Sequence, residues 1–180
     1  METHRLIAHP GHAPRAVAGV TVVWDEPGDG WLHLRYTVSG VARLALPKPA
    51  APRRADELWR TTCFELFVQH DEDTGYVECN FSPSRRWAVY DFADYRSGRR
   101  ERALPGEPVS EPVAGEGEFA HHARLDPAGL PPRPWRVGLS AIIEEDGGAK
   151  SYWALAHPSG EPDFHHPVCF ALTLPAEALA

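Results

Sequence analysis

An all-β fold, an antiparallel two-sheet β-sandwich, is predicted by three observations. Short runs of alternating apolar and polar residues recur along the chain, Gly- and Pro-rich turns separate them, and no stretch carries a convincing helical period or internal repeat. Roughly nine to eleven short strands with little helix are the expected content. At 180 residues and 43% apolar, the chain suits a single domain, 1–180, that buries roughly 70% of its unfolded surface without a metal or disulfide staple.

Charge and cysteines narrow the function. A net charge of −7 argues against unspecific attraction to nucleic acid or to an anionic membrane, because both demand that many negative charges be neutralised. The start METHRLIAHPGHAP has no apolar run of signal-peptide length, and no segment is long enough to span a bilayer. A cytoplasmic protein with no membrane partner is expected. Cys63, Cys79 and Cys169 form no CxxC pair and are odd in number, so they are read as reduced thiols.

Taken in order, Leu6 to His9 reads as a short edge strand stopped by Pro10, and Val17 to Asp25 as a better one ending at Glu26-Pro27-Gly28-Asp29-Gly30. Trp31 to Val38 alternates cleanly, with Leu32, Leu34, Tyr36 and Val38 on one face. Leu44 to Leu46 extends the sheet before the stiff arm PKPAAPRRADELW. Cys63 to Gln69, Tyr76 to Ser82 and Trp87 to Phe92 form a meander closed by Tyr95, Arg96 and Gly98. From Pro105 to Pro134 the Pro and Gly content predicts mostly loop, broken by one strand, Phe119 to Leu125. Val137 to Ile143 and Ser151 to Leu155 flank the turn Asp146-Gly147-Gly148, and Phe170 to Leu174 gives a last strand.

The central hairpin fixes its own register, because a slip of one residue would send every side chain of one strand to the wrong face. If Glu65 lies opposite Asn80 and Phe67 opposite Glu78, then Phe64 meets Phe81, Leu66 meets Cys79 and Val68 meets Val77, and that face is wholly apolar. The reverse face then carries Glu65 and Glu78 as diagonal neighbours with Asn80, Tyr76 and Phe67 around them. Arg54, Trp59 and Arg60 arrive from the arm.

The stretches LWRTTCFELF (58–67), YVECNFSPS (76–84), WAVYDFADYRSG (87–98) and SYWALAHPSGEPDFHH (151–166) resemble the bacterial DOMON-like proteins. These are related to the family 9 carbohydrate-binding modules, and the resemblance runs from about Val17 to Leu174. It implies a jelly-roll-like, broadly immunoglobulin-like sandwich whose relatives bind sugars or, in some branches, a b-type haem. The group commonly has Met after Y-R-x-G, where this chain has Arg99, and Met1 is its only methionine.

Two carboxylates, an amide and aromatic rings are what a polyhydroxylated ligand needs: acceptors for paired hydroxyls and an apolar face for the C–H side of a sugar. A non-catalytic module for a small polar ligand, plausibly a saccharide, is therefore expected. Arg54, Trp59, Arg60, Glu65, Tyr76, Glu78 and Asn80 form its site. Two or three charge-assisted hydrogen bonds, less the costs of association, give about micromolar to millimolar affinity. The bland alternative is a solvated outer face whose charges arginines relieve. A third is a glycosidase acid and base, which needs a raised carboxyl pKa and no cofactor.

His157, His165 and His166 with nearby Asp163 suggest a divalent metal or haem b site, and the competing expectation is a tight PDFHHP loop whose imidazoles cap backbone groups. Arg85, Arg86, Arg96, Arg99, Arg100 and Arg102 lie among Trp87, Tyr90 and Tyr95, a pattern shared with nucleic-acid footprints. Interrupting Asp91, Asp94 and Glu101 favour a surface ion-pair network, with the aromatics turned inward. Trp24, Trp31, Trp87, Trp135 and Trp153 are expected as core filling.

Overall fold

The computed structural model describes residues 1–115 and 117–176. Among them are β1 (Glu2–Ala8), β2 (Gly19–Asp25), β3 (Leu32–Ser39), β4 (Leu44–Ala45), β5 (Cys63–His70), β6 (Tyr76–Phe81) and β7 (Trp87–Phe92). There follow β8 (Arg100–Glu101), β9 (Val109–Ala114), β10 (Glu118–Leu125), β11 (Trp135–Glu145), β12 (Ala149–Ala154) and β13 (Leu172–Leu174). The only helical turns among the described residues are single 3-10 turns, among them Leu58–Arg60 and Pro167–Cys169.

All these strands pair antiparallel in one curled sheet, ordered β8-β7-β6-β5-β11-β12-β1-β2-β3-β10-β9, with β4 and β13 on β11. β1 corrects the expectation of an edge strand. Its first part, Glu2 to Leu6, pairs with β2, while Ile7 and Ala8 pair with β12, so it joins the halves of the sheet. The sequence shows the Pro10 that ends this strand but not the partners on its two sides.

The curled sheet encloses an inner core to which both halves contribute. The alternation in β3 places Leu32, Leu34, Tyr36 and Val38 inside, and β5 and β6 contribute Phe64, Leu66, Val68, Val77, Cys79 and Phe81. Tyr36 and Phe64 meet with ring centroids 4.8 Å apart, and the Tyr36 hydroxyl donates to the Glu65 carbonyl at 2.7 Å. A buried aliphatic or aromatic side chain contributes about 1.5–3 kcal/mol, so this interior outweighs any single surface ion pair. Trp24, Trp87, Trp135 and Trp153 are buried as expected, whereas Trp31 is half-buried.

One further feature differs from expectation, and a second had no signal in the sequence. The Pro-rich stretch before β10 is not loop throughout: β9 lies at the end of the strand order, where Pro112 opposite His121 is tolerated because an edge strand can spare one backbone donor. Glu145, at the end of β11, is 1% exposed and accepts hydrogen bonds from the backbone N–H groups of Arg15 at 2.7 Å, Ala16 at 2.6 Å and Val17 at 3.3 Å. That carboxylate fastens the segment between β1 and β2. Gly40, at φ +77°, leaves room there: a Cβ would lie 2.3 Å from the Ala16 carbonyl oxygen.

Candidate ligand-binding site

β5 and β6 pair in the register read from the sequence, Glu65 opposite Asn80 and Phe67 opposite Glu78. Their reverse face is not solvated, however. It is covered by the turn Leu58–Arg60 and by Phe164, Cys169 and Phe170, which form a second apolar cluster with Phe67, Tyr76, Ala88, Tyr90 and Phe92. Glu65 is 3% and Glu78 6% exposed, which rules out the solvated-face expectation.

Between this face and its cover lies a cavity of about 600 Å³. Glu65 and Glu78 are among its most buried polar members. Trp59, Tyr90, Phe92, Tyr152 and Phe164 give it aromatic walls, and His12, Arg96, Arg99, Glu161 and His165 complete the polar lining. The β6–β7 register sets Tyr90 opposite Glu78 and Phe92 opposite Tyr76, which is why the third strand of the meander supplies two of the rings.

The carboxyl groups are held by neutral donors. Ser140 Oγ donates to Glu65 Oε2 at 3.2 Å, Asn80 Nδ2 donates to Glu78 Oε1 at 2.7 Å, and His165 Nε2 stands 3.8 Å from Glu78 Oε2. No Lys or Arg among the described residues forms an ion pair with either one. Burial, reinforced by the charge of Glu78, pushes Glu65 well above the usual carboxylate range. Burial raises Glu78 too, against the opposing pull of Asn80, Arg99 and Arg96. The pair therefore favours holding a proton.

Around the pair, the cations are unequal. Arg96 is engaged by Asp163, with Nε and Nη2 at 3.2 and 2.7 Å from Oδ1, and Tyr95 donates to the same carboxylate. Burial would raise Asp163, but those bonds hold it low. Arg99 has no carboxylate partner among the described residues, and its guanidinium lies 5.0 Å over the Tyr90 ring. His165 is kept neutral chiefly by burial, with Arg96 adding to the effect, and its pKa falls to about 4.

The predicted site residues divide into two groups. Trp59, Glu65 and Glu78 line the cavity, whereas Arg54, Arg60, Tyr76 and Asn80 stand behind it. Arg54 pairs with Asp56 and Glu101, each at 3.0 Å, and Asp56 in turn accepts the Tyr90 hydroxyl at 2.5 Å, so this chain of contacts positions a wall. Arg60 pairs with Glu57 at 2.8 Å and lies 5.3 Å over Trp59. Tyr76 bonds His165, and Asn80 orients Glu78.

His157, His165 and His166 share no common centre. His157 Nε2 donates to the Ile7 carbonyl at 2.8 Å, and His166 Nδ1 accepts the Val168 N–H at 3.2 Å and so caps the turn Pro167–Cys169. Only His165 of the three lines the cavity, and no group of three His, Cys, Asp or Glu among the described residues is disposed to hold a metal ion. The arginine cluster is largely an ion-pair network: Arg100 and Arg102 on Asp91, Arg85 with Glu111 at 3.9 Å, Arg96 on Asp163. Its aromatics correct the expectation. Trp87 points into the inner core, but Tyr90 faces the cavity and Tyr95 is 47% exposed.

Sequence reasoning missed Tyr90, Phe92, Tyr152, Phe164 and the cavity role of Arg96 and Arg99. For Tyr90 and Phe92 the signal was available, since both fall on the Glu78 face once the third strand is registered. Tyr152 and Phe164 come from 60 or more residues beyond Phe92 in sequence and had no such signal.

No protein-family model and no curated protein matches this chain. Solved structures do. A carbohydrate-binding protein, so assigned provisionally, from Bacteroides uniformis superposes with a TM-score of 0.71 at 15% identity, over 98% of this chain and 86% of its own. A family 9 carbohydrate-binding module from Caldicellulosiruptor kristjanssonii, solved with glucose and with cellotriose, gives looser TM-scores of 0.47 and 0.48 at 13% and 12% identity. Those two cover 93% of this chain and 84% and 83% of the module. The first likeness is one of fold.

Proposed function

We propose that the chain is a non-catalytic binding module whose cavity takes a small polar ligand, a saccharide. One observation carries the reading: two buried carboxyl groups stand at the base of a cavity of about 600 Å³ walled by five aromatic rings. Hydroxyl groups of a sugar would donate to Glu65 and Glu78, and its C–H face would lie against Trp59 or Tyr90. The fold shared with the Bacteroides uniformis protein fits this reading, although a fold does not by itself assign a ligand. We read the chain as DOMON-like, with a jelly-roll-like folding of its sheet. The reading needs neither haem nor metal, and the free, buried thiols of Cys63, Cys79 and Cys169 suit a reducing compartment such as the cytoplasm.

Isothermal titration with glucose and cellotriose tests it. Binding in the micromolar to millimolar range is expected, as about two or three charge-assisted bonds allow, and Glu65→Gln and Glu78→Gln weaken it. No heat and no thermal shift with any saccharide would remove the proposal.

The raised carboxyl pair favours a second reading, a glycoside hydrolase in which one glutamate stays protonated as the acid. Turnover of chromogenic glycosides that disappears in both glutamine variants would establish it over simple binding.

A further inference from the structure

The electrostatics of the cavity base narrow the ligand class beyond a neutral sugar. We propose that the saccharide bound here carries a free amine, whose ammonium group sits between Glu65 and Glu78; this rests on the saccharide reading above. Both carboxyl groups are buried, yet neither has an Arg or Lys partner among the described residues. Ser140 and Asn80 occupy one oxygen of each, which leaves Glu65 Oε1 and Glu78 Oε2 without a hydrogen bond among the described residues. Behind the lining, Asn80 Oδ1, on a side chain 1% exposed, is itself without a partner, so the surroundings of the pair are short of donors.

An ammonium group matches this set. It brings three N–H donors and a positive charge to a place where acceptors outnumber donors. A buried carboxylate left unpaired is costly, so it either holds a proton or meets a cation. The rings of Tyr90, Phe92, Tyr152 and Phe164 line the same cavity, and aromatic faces attract a cation rather than repel it.

The cationic groups nearby do not close the base. Arg96 is neutralised by Asp163. His165 Nε2 stands 3.8 Å from Glu78 Oε2, beyond hydrogen-bond reach, and the ring carries no charge near neutral pH. Arg99, on an exposed segment over Tyr90, acts on Glu78 only at a distance and forms no ion pair with it among the described residues, and Glu161 in the same lining has the opposite sign. His12 and the phenols of Tyr90 and Tyr152 are the remaining titratable groups of the lining.

The ammonium takes the place of a proton that burial favours on the pair, so binding an amine releases a proton, while a neutral hydroxyl leaves it in place. Titration of the full chain with glucosamine, glucose and N-acetylglucosamine at about pH 6.5, where a sugar amine is charged, tests this. Glucosamine is expected to bind at least about tenfold more tightly than the other two, the weight of one charge-assisted bond. That preference vanishes in Glu65→Gln. Repeating the wild-type titration in buffers of different ionisation enthalpy reads the released proton and does not depend on any variant folding. Equal affinity for the three sugars, with no proton release, overturns the amine proposal and leaves the saccharide reading intact. Silence from all three and from cellotriose overturns both.

Discussion

The phenol oxygen of Tyr76 stands 2.7 Å from Nδ1 of His165, so a side chain of β6 fastens the segment that covers the cavity. Burial pushes the Tyr76 phenol up to about 12, and it stays protonated and donates to the neutral imidazole. With the phenol as donor, the ring proton of His165 falls on Nε2, 3.8 Å from Glu78 Oε2. The Arg96 backbone N–H donates to the same phenol oxygen at 3.2 Å, which ties in the loop after β7. Tyr76→Phe keeps the ring stack on Phe92 and loses both contacts. A loss of about 1 kcal/mol in urea unfolding is expected, together with weaker saccharide binding by calorimetry.

Trp59 is 47% exposed and lines the cavity while its outer face carries Arg60. Removing it therefore affects ligand more than fold. Trp59→Ala is expected to change stability by less than about 0.5 kcal/mol and to weaken saccharide binding about tenfold. Equal binding by the variant would show that Trp59 is not a wall of the site.

The carboxyl pair gives a pH signature. Both glutamates have folded pKa values above their unfolded ones, so the folded state binds more protons and their contribution is greatest below about pH 4.5. It is lost as pH rises through the folded values. Glu65→Gln removes that loss, so the melting temperature of the variant relative to wild type should climb as pH is raised from about 4.5. A difference that stays flat with pH would contradict the burial of an unpaired pair.

Histidine works in the opposite sense. His121 is fully buried, stacks on Phe64 at 4.9 Å and has Nε2 3.0 Å from Ser110 Oγ, and burial lowers its pKa to about 3. Its unfolded form takes up a proton as pH falls below about 6.5, and each unit of depression is then about 1.4 kcal/mol of lost stability. The urea midpoint of wild type relative to His121→Gln should fall between pH 7 and 5.

Glu145 is the structural counterpart of the cavity glutamates: a buried carboxylate satisfied by three backbone N–H donors. Glu145→Ala leaves those donors without their acceptor and is expected to cost more than about 3 kcal/mol, read by denaturant unfolding.

How far the sequence went is clear at particular residues. The alternation from Phe64 to Val68 and from Val77 to Phe81 was enough for the register, because only one pairing keeps both apolar faces together. The same alternation brought Glu65, Glu78 and Asn80 to one face. It could not show that this face is buried, since the cover comes from Phe164, Cys169 and Phe170, placed by the return of the chain after β12. Arg54 and Arg60 look like ligand groups in the sequence, and their local acids, Asp56 and Glu57, already engage them. β9 escaped notice because Pro112 breaks the pattern that an interior strand would need. The joining role of β1 depends on partners far away along the chain, which local periodicity does not encode.

The most direct measurement is a titration of the isotopically labelled protein with glucosamine and with glucose, followed by amide and indole nuclear magnetic resonance. The account predicts that shifts concentrate on Glu65, Glu78, Tyr90, His165 and the indole N–H of Trp59, and leave the β9–β10 edge unmoved. Shifts confined to that edge, or none at saturating sugar, would contradict it.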